Sequence, residues 1–488
     1  MAGKKGATGS KSKPKTSNGG SKKTTKNSNA KTPDKKSPNI SSHNLQTTEQ
    51  APEQSRKHRQ HVLDIFRHAF AETLTSPDFT STLQSVKQAL FDRDFAKAFS
   101  DPHHLEVYAA RWSPTRALCY SAVLEGIAEH LCDLYSPGTL SPSPLHSSSS
   151  LDTTTTPTPP PPTLPVLSIG GGPAELVALA SFLSQHTPSS SSSPSSPSAP
   201  SSTPVLHSTL TLLDSGPYTP LINTLTTALT TPRPISQYAS AAAKEANVPL
   251  LSASSGPSSS LGGDNSSSSN SSSSSPDATQ PRRRLETVFL QRDALSLLDR
   301  EEWRGVFSLH TASASASSSS SPSSLSAAAS TTTTIVPPTP PTTTTATAKI
   351  QTAPHLITLL FTLNELFTAG GLAPTTRFLL ALTDAAPVGS LLLVVDSPGS
   401  YSEVVIGDTQ GKDGKKKREY PMGWLLDRVL LDTEREGDGE DDKKRWVKVE
   451  EKESVWFRLG TGLEYPIGLE DMRYQMHLYR LDAFTGSS

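Results

Sequence analysis

Val166-Leu-Ser-Ile-Gly-Gly-Gly-Pro-Ala-Glu-Leu176 is the stretch that decides the fold. Val166–Ile169 is a short apolar run between Pro165 and Gly170, which reads as a buried strand. Three glycines follow, and Glu175–Gln185 continues as a helix. Glycine lets the backbone turn sharply and approach a ligand closely. The N–H groups that open a helix can face an anionic or polar ligand. A strand, a glycine turn and a helix in that order place such a ligand at the carboxyl edge of a parallel sheet.

Downstream the unit repeats. Leu210–Leu213 reads as a second strand ending at Asp214, and Leu221–Leu229 as a helix. Val288–Leu290, Leu356–Phe361 and Leu391–Val395 read as third, fourth and fifth strands, with a helix over Thr375–Thr383 between the last two. Trp446–Val449, Val455–Leu459 and Tyr474–Tyr479 supply late strands in a hairpin region. Strands alternating with helices predict an α/β fold with a parallel sheet covered on both faces. Upstream, residues 55–135 read as helical: Val62, Ile65, Phe66, Ala69 and Phe70 recur at helical spacing, and a last helix runs from about Thr115 to Tyr135 with Pro114 in its first turn.

Composition divides the chain of 488 residues further. Its hydrophobic fraction is 34%, below the roughly 45–50% of ordinary globular chains, and the deficit is concentrated in Ser/Thr/Pro runs. Segments 187–204, 251–281, 311–349, 407–419 and 433–444 read as low-complexity inserts that bury too little apolar surface to offset the entropy of ordering. The expected organisation is a disordered Lys-rich arm over 1–54, a helical cap over 55–140 and a sheet domain over 164–486. The arm carries eleven lysines and a single acid, Asp34, within residues 1–40, which favours polyanions, although the net charge of the chain is −1. Two cysteines, Cys119 and Cys132, form no disulfide framework and fit a reducing compartment. They have no metal-ligand spacing with His103, His104 or His130, so no metal is expected. No apolar run approaches the ~20 residues of a membrane span, and no secretory signal is read.

The motif also bears on the ligand. Gly170 and Gly172 fit the first two places of a dinucleotide turn, but Glu175 takes the third, where a carboxylate would repel a pyrophosphate. S-adenosyl-L-methionine carries no phosphate and escapes that objection. Asp214, at the end of the second strand, suits the two ribose hydroxyls. Asp293, just past the third strand, stands where an adenine-contacting residue belongs. Asn364 and Glu365 follow the fourth strand and Asp396 the fifth, so all three converge on the same crevice as candidate catalytic residues. Each acid also has a plainer reading as a helix cap or surface carboxylate.

Ser168-Ile-Gly-Gly-Gly-Pro-Ala-Glu-Leu-Val177 resembles the first motif of class I methyltransferases. The ordered set of Arg111–Tyr120, Phe361–Phe367, Val395–Ser400, Tyr420–Trp424 and Arg473–Arg480 resembles the fungal 25S rRNA uracil-N3-methyltransferases over roughly residues 55–482. The resemblance implies a Rossmann-like sheet of seven strands with the last reversed, and methyl transfer from S-adenosyl-L-methionine to N3 of a uridine in large-subunit rRNA. It implies that Gly170, Gly171 and Gly172 hold the methionine end of the cofactor, Asp214 its ribose and Asp293 its adenine. Many class I enzymes carry an acid two residues before the first glycine; here that place is Ser168. In the expected reaction Glu365 or Asp396 takes the N3 proton and Asn364 holds the base edge, while Arg111, Trp112 and Arg116 meet unpaired RNA. The implied partner is large-subunit rRNA or a pre-ribosome, met by a monomer in the nucleus, nucleolus or cytoplasm. Two alternatives stand beside this: a methyltransferase acting on another RNA or a protein, and a non-catalytic assembly scaffold with the same fold.

Overall fold

The computed structural model describes residues 53–135, 162–186, 206–245, 247–251, 284–309, 353–399, 403–406, 418–432 and 444–483. The Lys-rich arm up to residue 52, and all but a few end residues of the five inserts, lie outside them.

The strands are β1 (Thr163–Ile169), β2 (His207–Asp214), β3 (Leu285–Gln291), β4 (Leu356–Leu360), β5 (Leu391–Asp396), β6 (Glu403–Ile406), β7 (Arg418–Pro421), β8 (Lys444–Phe457) and β9 (Met472–Ala483). Seven form one sheet in the order β3-β2-β1-β4-β5-β9-β8, and β6 pairs with β7 separately. β1 to β5 run parallel, and β9 is antiparallel to both β5 and β8. The expected sheet of seven strands with a reversed last strand is therefore what the chain forms. β1 lies between β2 and β4, so the strand order reverses beside it and a crevice opens at the carboxyl ends of β1 and β4.

Alternation along each strand fills both faces. Leu164 and Val166 point into one core, Leu167 and Ile169 into the other; in β5, Leu391, Leu393 and Val395 alternate with Leu392 and Val394 in the same way. The first core takes side chains from α1 (Glu53–Ala69), α2 (Ala71–Thr75), α3 (Phe79–Phe91), α4 (Phe95–Phe99), α5 (Pro102–Gly126), α6 (Ala128–Tyr135), α7 (Pro173–Gln185) and α8 (Thr219–Thr230). After the short α9 (Ala241–Glu245), the second core takes α10 (Arg300–Ser308), α11 (Leu372–Ala385) and α12 (Met422–Leu430). Residues 53–135 thus share one core with the sheet, so the boundary expected near residue 140 follows chain order more than packing.

Two sequence expectations are corrected. Pro114 lies inside α5, which begins at Pro102 behind the N-cap Asp101, not in the first turn of a helix from Thr115. An interior proline removes an N–H and leaves the carbonyl four residues back without its helical donor. That carbonyl belongs to Ala110, and the Tyr465 hydroxyl donates to it at 2.9 Å. The kinking position is tolerated because a distant loop repairs the helix. The two late strands expected around Val449 and Val455 are one strand, β8, carrying register shifts at Lys448/Glu450 and Lys452/Val455. The polar run Glu450-Glu-Lys-Glu-Ser454 hid its continuity, which comes from pairing with β9 and not from apolar alternation.

Candidate active site at the carboxyl edge of the sheet

The glycine turn is built by close packing. Gly170 has φ +70° and donates its N–H to the Leu213 carbonyl at 2.7 Å; a Cβ there would collide with the Thr362 side chain. A Cβ on Gly171 would collide with Ser168 and lie 3.0 Å from Leu212. Gly172 has more room, with the Tyr218 ring 3.8 Å from where its Cβ would stand. Ser168 is buried in the sheet and accepts a hydrogen bond from Thr358 Oγ1 at 2.9 Å, so this position cannot reach the crevice. Glu175 folds back to accept from the Gly172 N–H at 2.7 Å, capping α7. Burial pushes its carboxyl up to about 7.

The crevice in front of this turn has a volume of about 540 Å³ and is lined by Gly170, Gly172, Glu175, Asp214, Asp293, Asn364, Glu365 and Asp396, among others. Of the eight expected site residues it gathers seven; Gly171 stands behind the turn. Asp214 accepts from the Gly216 N–H at 2.7 Å, and burial lifts its carboxyl to about 6. Asp293 is exposed and uses one oxygen to cap the turn Ala294–Ser296, accepting from the Leu295 N–H at 2.9 Å.

The three candidate catalytic residues divide. Asp396 is 2% exposed and spends both oxygens on backbone donors, the Asn364 N–H at 3.0 Å and the Ser397 N–H at 2.8 Å. Burial raises its carboxyl to about 6 despite those bonds. It therefore ties the end of β5 to the turn after β4 and holds Asn364 in place, a duty different from the proton acceptance expected of it. Glu365 is only half-buried, lines the crevice and lies 3.8 Å from Arg93 Nη1. Between them Phe361 adopts φ +56°, a left-handed conformation costing a non-glycine residue about 1–2 kcal/mol. It is held there by its N–H donating to the Val395 carbonyl at 2.7 Å and by the Tyr120 ring and Arg116 guanidinium beside its side chain.

The opposite wall comes from the helical segment. Tyr108, Trp112 and Arg116 share one face of α5 at spacings of four, and all line the crevice. Tyr108 and Trp112 rings lie 5.0 Å apart, and Phe99 meets Tyr108 edge-on at 5.0 Å. The Arg116 guanidinium lies 5.5 Å from the Tyr108 centroid and 5.7 Å from that of Phe361, and donates to the Tyr108 hydroxyl. Arg111, expected at the RNA, is instead buried in an ion pair with Glu470 at 2.5 Å. Glu175, Tyr218, Tyr108 and Phe361 were not singled out as site residues from the sequence. For Tyr108 the four-residue spacing to Trp112 and Arg116 was the available signal.

A family model described as "Putative SAM-dependent methyltransferase" matches residues 66–480. The chain belongs to this methyltransferase family. Its cofactor is S-adenosylmethionine. A curated relative from Saccharomyces cerevisiae, named 25S rRNA (uridine(2843)-N(3))-methyltransferase, is 24% identical over 434 residues, covering 86% of this chain and 85% of the relative. A solved SAM-dependent methyltransferase from Methanosarcina mazei is 9% identical, with a TM-score of 0.23 over 65% of this chain and 91% of its own.

The residues of this methyltransferase suit that cofactor. The glycine turn brings backbone to the crevice, an acid ends β2, and Arg116 and Glu175 present opposite charges to one cavity with no direct ion pair between them. Such a separated pair matches the zwitterionic amino-acid end of S-adenosylmethionine, which bears a carboxylate and an ammonium on one carbon. No group of three or more His, Cys, Asp or Glu side chains that could hold a metal occurs among the described residues. Cys119 is buried, which pushes its thiol up to about 12 and leaves it inert. The clamp at Asp396 carries a first prediction for the methyltransferase. Asp396→Asn turns one acceptor into a donor facing a backbone N–H, and thermal or urea unfolding should register a loss of about 1–3 kcal/mol. An unchanged unfolding midpoint would refute the structural role of both bonds.

Proposed function

We propose that this methyltransferase transfers a methyl group to N3 of a uridine in large-subunit (25S) ribosomal RNA. The observation that carries the substrate is the correspondence with the yeast 25S rRNA uridine-N3-methyltransferase along 86% of this chain. The aromatic crevice wall supports it, because Tyr108 and Trp112 offer the stacking surface that an unpaired base needs. Uridine N3 is hidden inside a base pair, so the base must leave the duplex or come from a loop before it can enter.

S-adenosylmethionine supplies a methyl group already activated on a sulfonium. In the proposed arrangement Gly170 and Gly172 allow close approach of the backbone, Asp214 accepts from the ribose hydroxyls and Asp293 contacts the adenine edge. Arg116 receives the carboxylate of the methionine end and Glu175 its ammonium, standing in for the acid that Ser168 does not provide. Asn364, fixed by its N–H to Asp396, holds the uracil edge. Glu365 would take the N3 proton as the uracil nitrogen is methylated, its carboxylate becoming the neutral acid, while the cofactor would supply the methyl group. Alignment of nitrogen, carbon and sulfur supplies much of the acceleration. We place the enzyme where large subunits are assembled, in the nucleolus and cytoplasm, working as a monomer without a metal on rRNA or a pre-ribosome.

Nucleoside mass spectrometry of large-subunit rRNA tests this reading. Cells lacking the gene should lose one 3-methyluridine, regained with the intact protein and not with Asp214→Ala. An unchanged 3-methyluridine level would remove the rRNA uridine from consideration and leave a methyltransferase with another acceptor.

A further inference from the structure

The chain has five tryptophans, and the structure uses them differently. Trp303 and Trp446 are buried in the core, and Trp112 lines the crevice. Trp424 and Trp456 remain 49% and 53% exposed. Trp456 stands near the end of β8, on the sheet edge that carries the crevice, and Trp424 lies in the first turn of α12. β9 pairs with β5 through Asp396 and Gln475, and Trp456 of β8 pairs with Arg473, two residues from Gln475 along the same strand. The lateral offset from β5 to β8 is two strand spacings, about 10 Å. Arg473, Gln475 and His477 share one face of β9 by alternation, and a Cβ on Gly423 would lie 2.8 Å from His477, which sets Trp424 beside that face. Gln475 also donates to the Ser397 carbonyl at 2.7 Å, and Ser397 lines the crevice. The surface is therefore fastened to the crevice wall.

Its rings are flanked by guanidinium groups, with the carboxylates of Asp471 and Glu451 close by, Glu451 lying 3.2 Å from His477. The Arg458 guanidinium lies 4.3 Å from the Trp456 ring centroid, and that of Arg473 lies 5.7 Å from it. Arg458 is paired with Asp471 at 2.6 Å, whereas Arg473 donates to the Ser454 hydroxyl at 2.8 Å. Trp424 stacks on Tyr420 with centroids 5.0 Å apart and planes 21° from parallel. Single rings interleaved with guanidinium groups are the recognition chemistry of an unpaired nucleic-acid strand: bases stack on rings and on guanidinium planes, and arginines meet phosphates. A duplex would offer no free base faces.

We propose that the exposed β8–β9 edge centred on Trp456, with Arg458, Arg473 and the nearby Trp424, is a docking platform for the unpaired RNA strand that flanks the target base. This rests on the RNA substrate proposed above. The platform lies three strand spacings, about 14 Å, from β4, whose end carries Asn364 and Glu365, and so sets which base can reach Glu365.

The test uses full-length protein, a fluorescein-labelled unpaired twelve-nucleotide RNA and a duplex of the same length, with rRNA methylation measured alongside. Trp456→Ala should weaken binding of the unpaired RNA about 5- to 100-fold. It should raise KM for rRNA by a similar factor at unchanged kcat, and leave S-adenosylhomocysteine affinity and Tm as they were. Trp456→Phe should retain most of the binding. Arg473→Gln should weaken binding and lower the salt slope by about one. Wild-type affinity and KM in Trp456→Ala would overturn the platform alone. So would a loss matched by an equal fall in Tm and not recovered in Trp456→Phe, since that marks a brace for the ribbon. If the wild-type enzyme neither binds nor methylates any RNA, the substrate reading and the platform fall together.

Discussion

Glu365→Gln is expected to lower kcat for rRNA methylation by about 10²–10⁴-fold, the range in which a positioned general base acts. Affinity for S-adenosylhomocysteine and KM for RNA should hold, because glutamine keeps the shape and polarity of the side chain and removes only its capacity to take the proton. Of the two carboxylates among the candidates, Glu365 lines the crevice with its Oε2 buried and without a hydrogen-bond partner, whereas Asp396 spends both oxygens on the Asn364 and Ser397 N–H groups. Arg93 Nη1 lies 3.8 Å from the Glu365 Oε2. Single-turnover methylation with saturating cofactor checks the step directly. Wild-type turnover in Glu365→Gln would return the proton to solvent and leave alignment as the main catalytic contribution.

The second large effect concerns the cofactor. Arg116→Met and Glu175→Gln should each weaken S-adenosylhomocysteine about 10- to 100-fold, the worth of one buried charge-assisted hydrogen bond. Neither should change affinity for methylthioadenosine, which has the same adenosine and sulfur but no amino-acid end. Calorimetry with the two ligands separates a lost charge partner from a damaged cavity, since damage would weaken both. The pH dependence follows from Glu175. Burial raises its carboxyl to about 7, so below that value the group is mostly neutral and cannot attract an ammonium. Affinity for S-adenosylhomocysteine should therefore rise as pH increases through 7, with proton release on binding, and then level off. In Glu175→Gln that rise should disappear. Equal losses for both ligands, or an unaltered pH profile in Glu175→Gln, would assign the methionine end to other groups.

Much of the fold was readable because its signals are local. Strand β1, the glycine turn and helix α7 follow from an apolar run and three adjacent glycines, and the succession of parallel strands and helices along the chain follows from short apolar runs alternating with helical periods. Asp214, Asp293, Asn364, Glu365 and Asp396 meet in one crevice because each directly follows a parallel strand, and parallel strands end on the same edge. Where the reading failed, the deciding partner is far away in the chain. Pro114 is tolerated within α5 because Tyr465 satisfies Ala110, 355 residues earlier. β8 is continuous because β9 pairs across a polar stretch.

The sequence by itself determined where strands end and which residues stand at those ends, since backbone periodicity and glycine conformation act over a few residues. Only the tertiary structure decided what those residues do. It set Arg116 opposite Glu175, turned Ser168 into the sheet and Arg111 toward Glu470, and made Asp396 a backbone clamp while leaving Glu365 lining the crevice. The role of a charged side chain depends on its burial and on the partners within a few ångströms, and both are fixed by long-range packing that no local pattern records.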